Sequence, residues 1–276
     1  MKQVLVLGAG GFIGFHLCEK LCENPENYVI GVDKNIENIP NKVPLHIKID
    51  LTRDDQCDYL FNHYKFDDVY QVAADSGNLE YLTSTSYNYG NSTLINLNII
   101  RNLKVGKVNR FIFTSSDYAR DFELTDYGLE KKYNEQLYRR SSLPIKIATL
   151  SNVYGIWDTG GSNEKLINAL CRKVAEAKYG ASIPVHNDGR LRSFVYIDDV
   201  VNMLIDMDND LDIKSHFSIS TSYLCSIINI VTKKSIHFDI DNYYPVGIKD
   251  NKEFIYTKNL EDGIEELYQY YLERIY

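Results

Sequence analysis

The sequence predicts an α/β protein: a doubly wound parallel sheet followed by a smaller α/β substrate lid. Three observations predict it. Short apolar runs alternate with amphipathic runs through the first half of the chain. The first apolar run feeds directly into a glycine-rich turn that opens a helix. Beyond Leu150 the pattern breaks into shorter pieces at Gly155, Gly160, Gly161, Pro184, Gly189 and Pro245. The sheet domain is therefore expected at residues 1–150 and a second region at 151–276, partly interleaved with the first.

The apolar run at 4–7 reads as a buried strand, and 12–22 as a helix with Ile13, Leu17 and Leu21 on one face. A second strand at 28–32 ends at Asp33, and a third at 45–49 ends at Asp50. Residues 69–73 read as the fourth strand, 94–103 as a helix and 110–113 as the fifth strand. A helix at 127–138 and a sixth strand at 144–150 complete the alternation. Parallel strands need long crossovers, so helices must cover both faces of this sheet. The last helix spans 259–275, with Leu260, Ile264, Leu267, Tyr271 and Ile275 on one side.

Thirty basic residues against 38 acidic ones give a net charge of -8, which argues against nucleic-acid or anionic-membrane binding as a general role. A local basic pocket for a phosphorylated ligand stays open. The five cysteines show no CxxC spacing, and Cys18 and Cys22 share a helix face, as core residues do. The six histidines lack HxxxH spacing, so no metal is expected. The apolar run at 4–7 is too short for a secretory leader, and none approaches the roughly 20 residues of a membrane span. A reducing cytoplasm is the expected location.

Gly8, Gly11 and Gly14 follow a strand and open a helix beginning at Phe12 and Ile13. Such a turn lets a pyrophosphate approach the backbone, and the helix N-terminus meets it with unpaired N–H groups. Asp33, at the end of the second strand, suits an adenosine ribose and repels a 2′-phosphate, which favours NAD over NADP. Asp50 and Leu51, at the next strand end, would border the adenine. This is a Rossmann-like NAD-binding arrangement. Tyr127 and Lys131, four apart, share a helix face. With 22 tyrosines in the chain the spacing alone says little. Its place says more: it opens the helix after the fifth strand, whose C-terminal end carries Thr114, Ser115 and Ser116. Ligands of open parallel sheets bind at such ends.

At this point the sequence resembles the extended short-chain dehydrogenase/reductases, the nucleotide-sugar epimerase/dehydratase family. The resemblance rests on the turn from Gly8 to Gly14, the strand end Val72, Ala73 and Ala74, Ser116, Tyr127 and Lys131 with Glu135, the stretch 150–155 and the stretch 192–199. It implies NAD as cofactor, held also by Ala73 and Ala74, and a nucleotide-diphosphate sugar as substrate. Tyr127 would take the sugar hydroxyl proton while hydride leaves C4 for the nicotinamide. Lys131 would lower the phenol's pKa and hold the nicotinamide ribose, and Ser116 would bond the same sugar oxygen. Arg192 would meet the diphosphate, and Asn152 the sugar or phosphate. The family's helix asparagine falls near Asn91 or Ser92. A homodimer would pair through the helices at 94–103 and 127–138.

Stretches 73–77, 160–165, 171–173 and 187–193 resemble the GDP-mannose 3,5-epimerase branch, which favours a GDP-linked manno-configured sugar. Three positions are candidates for a second acid, base or substrate contact: Asp117, Tyr118 and Lys165. Lys165 matches that branch's lysine, but Tyr118 stands where it has a cysteine and where the dehydratases have a glutamate. Tyr127 follows Ser116 by only 11 residues, less than is usual in the family. The expected activity is an NAD-dependent epimerase or dehydrogenase acting at C4. Its rivals are a 4-keto-sugar reductase, a 4,6-dehydratase and a non-catalytic NAD-binding regulator.

Overall fold

The computed structural model describes residues 1–75, 90–104, 106–120, 125–156, 164–242, 247–251 and 258–275. They divide into two compact units: Met1–Leu150 with Val201–Leu211, and Ser151–Val200 with Asp212–Tyr276.

The first unit is built on β1 (Lys2–Leu7), β2 (Asn27–Asp33), β3 (Leu45–Lys48), β4 (Asp68–Gln71), β5 (Arg110–Ser116) and β6 (Ile145–Leu150). They lie in the order β6-β5-β4-β1-β2-β3, and β10 (Leu211–Ile213) extends the sheet beside β6. The five pairings among β1–β6 are parallel. Val4 to Leu7 are all buried, as expected of a central strand covered on both faces. Strand order reverses where β1 meets β4, with Leu7 opposite Gln71. That reversal puts the segments following β1 and β4 side by side, the crevice where parallel sheets take ligands.

Helices α1 (Phe12–Leu21), α2 (Asp54–His63), α3 (Gly90–Asn102) and α4 (Asp126–Arg140) cross between these strands. Helix α2 has no counterpart in the sequence reading. Its first turn carries Asp54 and Asp55, which suit a helix N-terminus, and it buries Cys57, Leu60 and Phe61. The core joins Leu5, Leu7, Ile30, Val32, Leu60, Phe61, Ile99, Phe111, Phe113 and Tyr138. One polar chain runs through it: Gln71 Nε2 donates to Asn96 Oδ1 at 2.9 Å, and the Tyr138 hydroxyl donates to the same oxygen at 2.7 Å. Buried amides are kept this way because an unpaired one would cost its full desolvation.

Helix α6 (Ile197–Asp206) starts in the second unit and ends in the first. The second unit holds a mixed sheet of β7 (Asn152–Tyr154), β9 (Arg192–Tyr196), β11 (Phe217–Ile219) and β13 (Ile248–Asp250). Strand β7 runs parallel to β9, and β11 antiparallel to both β9 and β13. A separate parallel pair joins β8 (Ser182–Val185) to β12 (His237–Ile240). Helices α5 (Leu166–Glu176), α7 (Thr221–Thr232) and α8 (Leu260–Ile275) complete it. Among the described residues, no helix is long and apolar enough to cross a membrane.

The returning segment of the first unit is tied down by charge. Arg110 donates Nε to Asp68 at 2.9 Å and Nη1 to the Ile205 carbonyl at 2.8 Å, and also bonds the Tyr70 hydroxyl. The Asp68 side chain is only 4% exposed, so the ion pair with Arg110 is largely desolvated. Lys2 Nζ also reaches Asp68 at 2.8 Å but is half-exposed, so removing Arg110 leaves the buried carboxylate with one weakly held partner. Arg110→Met is expected to lower unfolding free energy by about 3 kcal/mol in urea titration. Adding Asp68→Asn should recover much of that loss.

Candidate active site

The glycine turn is dictated by sterics. Gly8 takes φ +86°, and a Cβ there would lie 2.7 Å from the Ala73 Cα. A Cβ on Gly14 would lie 2.0 Å from the Gly8 carbonyl oxygen, so α1 can close on the turn only at a glycine. The Gly8 and Ala9 N–H groups both donate to the Val32 carbonyl, at 2.8 and 3.0 Å, which moors the turn to β2. Gly11 caps α1 without any side-chain hydrogen bond. The first-turn amides, those of Phe12 and Ile13 among them, thus lack an in-helix acceptor and carry the helix's partial positive charge. That donor set fits a pyrophosphate.

Asp33 serves the same turn. Its Oδ2 accepts from the Gly10 N–H and its Oδ1 from the Asn35 N–H, each at 3.0 Å. Gly10 was missed in the sequence reading; its signal is that a Cβ there would press to 3.2 Å from Asp33 Oδ2. Carboxylate oxygens accept more than one bond, so capacity remains for ribose hydroxyls. Asp50 accepts from the Thr52 hydroxyl at 2.7 Å and its N–H at 3.0 Å. The hydroxyl bond above all holds the Asp50 carboxyl below its usual range, against partial burial. The Leu51 side chain joins the core beside Cys57 and Leu60.

After β4, Gln71 brackets Ala73, accepting from its N–H at 3.3 Å and donating to its carbonyl at 3.0 Å. Ala74 is half-buried. Asp75, the next residue, receives Asn91 Nδ2 at 2.9 Å, and its N–H donates to Ser92 Oγ at 3.0 Å. Both candidates therefore act on one aspartate. Ser76 and Gly77 of the stretch 73–77, residues 160–163 of the stretch 160–165, and Pro245 lie outside the described residues.

Ser116, Asp117, Tyr118, Tyr127 and Lys131 come together at the C-terminal end of β5. Thr125 caps α4, its Oγ1 accepting the Gly128 N–H at 3.0 Å, and so fixes the turn carrying Tyr127. The Tyr127 phenol lies near the Ser116 hydroxyl, whose influence favours the ionised form. Lys131, 6% exposed, donates Nζ to the Thr114 carbonyl at 3.2 Å and sits 5.7 Å from the Tyr127 ring centroid. Ser116 Oγ lies 3.4 Å from Asp117 Oδ1 and accepts the Tyr118 N–H at 3.4 Å. The Tyr118 ring meets that of Tyr127 edge-on, centroids 5.8 Å apart. Burial pushes the Tyr127 phenol well above its ordinary pKa, the nearby Ser116 hydroxyl acts against this, and the charges of Asp117 and Glu130 add to the rise. The chain by itself thus keeps the phenol protonated at neutral pH. An ionised Tyr127 requires positive charge beyond what the chain supplies.

The second unit carries the remaining candidates. Asn152 Nδ2 donates to the Ser193 carbonyl at 3.1 Å, and Asn152 pairs with Phe194 in the β7–β9 register. Arg192 bonds Asp188 at 2.6 Å; despite the cost of burial, this guanidinium holds the Asp188 carboxyl below its usual range. Lys165 is the N-cap residue of α5. Its neighbour Glu164 is buried, bonded to Arg172 at 2.9 Å and to the Tyr271 hydroxyl at 3.1 Å.

The sharpest local demand is at Gly14. Gly14→Ala must push α1 off the turn, and NAD binding by calorimetry is expected to weaken about 100-fold or more. Unchanged affinity would mean that the turn does not carry the dinucleotide.

Comparison with known proteins places this geometry. The chain is 28% identical over 260 residues to GDP-mannose 3,5-epimerase 1 of Oryza sativa subsp. indica, covering 82% of this chain and 68% of that protein. It is 28% identical over 230 residues to the GDP-mannose 3,5-epimerase of Arabidopsis thaliana, covering 72% and 59%. Among solved structures it resembles the UDP-glucose 4-epimerase of Thermotoga maritima with UDP-glucose, with a TM-score of 0.80 and 21% identity over 99% of this chain and 100% of that one. It also resembles the UDP-glucuronic acid 4-epimerase from Bacillus cereus, solved with UDP-glucuronic acid and NAD, with a TM-score of 0.75 and 22% identity over 99% and 100%. Residues 4–219 match the NAD dependent epimerase/dehydratase family, a span that holds the glycine turn, the Ser116–Tyr127–Lys131 cluster and Arg192, and the chain belongs to that family.

Proposed function

We propose that this protein is an NAD-dependent enzyme that moves hydride at C4 of a nucleotide-diphosphate sugar, with a GDP-linked manno-configured sugar as the first substrate to test. The observation that carries this reading is the Lys131 ammonium, anchored on the Thr114 carbonyl, beside the ring of Tyr127 at the end of the strand that carries Ser116. The relatives at 28% identity act on GDP-mannose, which supports the choice of sugar.

The residues divide the work. The glycine turn with Phe12 and Ile13 would hold the cofactor's pyrophosphate, Asp33 its adenosine ribose, and Asp50 the approach to its adenine. Ala73 and Ala74 would line its path toward β5. NAD, when bound, supplies a hydride acceptor and a positive charge. Ser116 would fix the sugar's 4-oxygen, and Tyr127 would accept its proton as C4 gives up hydride. Lys131, anchored on Thr114, would stabilise the resulting phenolate and hold the nicotinamide ribose. Arg192 would take the diphosphate in place of Asp188, and Asn152 and Lys165 would contact the sugar or its phosphates.

Tyr118 directs the net reaction. A phenol there is a weaker and bulkier acid than the thiol of the 3,5-epimerase branch, and no carboxylate replaces the dehydratase glutamate. This favours chemistry that begins and ends at C4: oxidation, 4-epimerisation or reduction of a 4-ketone. All three use the same hydride step.

Tyr127→Phe should lower hydride transfer at least ~1,000-fold, followed at the reduced-nicotinamide absorbance, with NAD still bound. Because oxidation consumes the phenolate, its rate should rise with pH on the acid limb, close to tenfold per unit. Ketone reduction consumes the protonated phenol and should show the opposite slope. Loss of NAD binding in Tyr127→Phe, or a flat profile in both directions, would remove the phenol from the chemistry.

The apolar residues Leu94 of α3 and Leu129 and Tyr133 of α4 are 41%, 54% and 52% exposed. They lie on the two helices through which the family resemblance pairs subunits, and we assign them to a homodimer contact. Leu129→Glu with Tyr133→Glu should give a folded monomer by light scattering; a wild-type monomer would refute the pairing.

A further inference from the structure

We propose that Arg120 and Glu135 are positioning residues, forming a clamp that aims Ser116 at Tyr127. The proposal deepens the functional reading above and rests on it. Helix α4 holds the end of β5 through two side chains one turn apart, Lys131 on the Thr114 carbonyl and Glu135 on Ser115, and one turn before them sets Tyr127 near Ser116. Successive strand residues face opposite ways, so the Ser115 hydroxyl points away from the one that serves the reaction. It donates to Glu135 Oε1 at 2.6 Å, a short, charge-assisted bond to a carboxylate only 7% exposed.

Beyond Ser116 the chain makes a single 3-10 turn, Asp117–Ala119, capped by Ser116 itself. Arg120 closes that turn and reaches back. Its Nη1 lies 3.4 Å from both Glu135 oxygens, and its Nη2 donates to Thr149 Oγ1 at 2.8 Å. Thr149 pairs with Ser115 in the β5–β6 register, so the guanidinium ties the far end of the turn to the neighbouring strand. Strand, turn, guanidinium and carboxylate form a closed ring, and Ser116 sits on it. The Ser116 hydroxyl is held by long bonds of 3.4 Å within the turn. Its aim depends on the backbone beneath it. A catalytic group displaced by about 1 Å can cost on the order of 100-fold in rate.

The test reads the approach of Ser116 to the Tyr127 hydroxyl directly and needs no substrate. The Cζ chemical shift of Tyr127 in 13C-tyrosine-labelled full chain reports the hydrogen bond at its hydroxyl; Tyr127→Phe assigns the signal. Arg120→Ala should move this signal toward its position in Ser116→Ala and should move it no further in the double variant. Arg120→Lys should lie between wild type and Arg120→Ala. Thr149→Val, which keeps the Arg120–Glu135 pair, should give a smaller shift in the same direction and covers the case where Arg120→Ala does not fold. A merely structural role leaves the signal in place in folded variants, or adds equally in the Ser116→Ala background; either result overturns the clamp. With a nucleotide sugar that reduces bound NAD, Arg120→Ala should also slow hydride transfer about 10- to 100-fold at unchanged NAD affinity. A wild type inactive on GDP-, UDP-, CDP- and dTDP-sugars would count against the functional reading alone, while the NMR comparison still decides the clamp.

Discussion

The arrangement depends on one interface, the packing of α4 across the C-terminal end of β5. Three side chains spaced by one helical turn engage three consecutive strand residues. This works because a helix repeats every 3.6 residues while a strand alternates every two. Positions 127, 131 and 135 rise along one helix face; the Thr114 carbonyl meets Lys131, the Ser115 hydroxyl meets Glu135, and the Ser116 hydroxyl, on the opposite side of the strand, lies near Tyr127. The contacts are polar and largely buried, so each fixes direction as well as distance. Phe113 and Tyr138 pack beneath them with ring centroids 4.7 Å apart, giving the polar contacts a rigid apolar floor.

That interface also explains why the chain alone leaves the phenol un-ionised. Desolvation favours neutral Tyr127, and the nearby carboxylates of Asp117 and Glu130 oppose a negative charge. Lys131 is committed to the Thr114 carbonyl, which places its ammonium beside the ring. In the functional reading the remaining positive charge arrives with the oxidised cofactor, so the site becomes basic only when loaded. An unloaded site then holds no free phenolate to remove protons from other molecules.

Much of the first unit was legible in the sequence, for local reasons. Central strands buried on both faces read as unbroken apolar runs, and Val4 to Leu7 is such a run. Gly8 and Gly14 announce the turn because no other residue fits there. Helix α2 was not legible, because its start is polar and its buried face is only three residues wide. The Gly10–Asp33 bond, the Gln71–Asn96 link and the Arg120–Glu135 pair were not legible either; their partners lie 15 to 25 positions apart and carry no local pattern. Leu51 reads as a crevice residue from its place after a strand, yet its side chain turns into the core. The second unit's short strands, three to five residues each, are too brief for periodicity to reveal.

The central claim is that C4 of a nucleotide sugar loses hydride to NAD across Ser116 and Tyr127. The direct measurement is isotopic: GDP-mannose deuterated at C4 is incubated with the NAD-loaded protein, and the cofactor and sugar are analysed by mass spectrometry. The account predicts deuterium on the reduced nicotinamide, or returned to C4 after turnover, with no exchange into water. Product formed in a rapidly quenched turnover with no deuterium ever on the nicotinamide, or deuterium lost to solvent without reaching the cofactor, would contradict it.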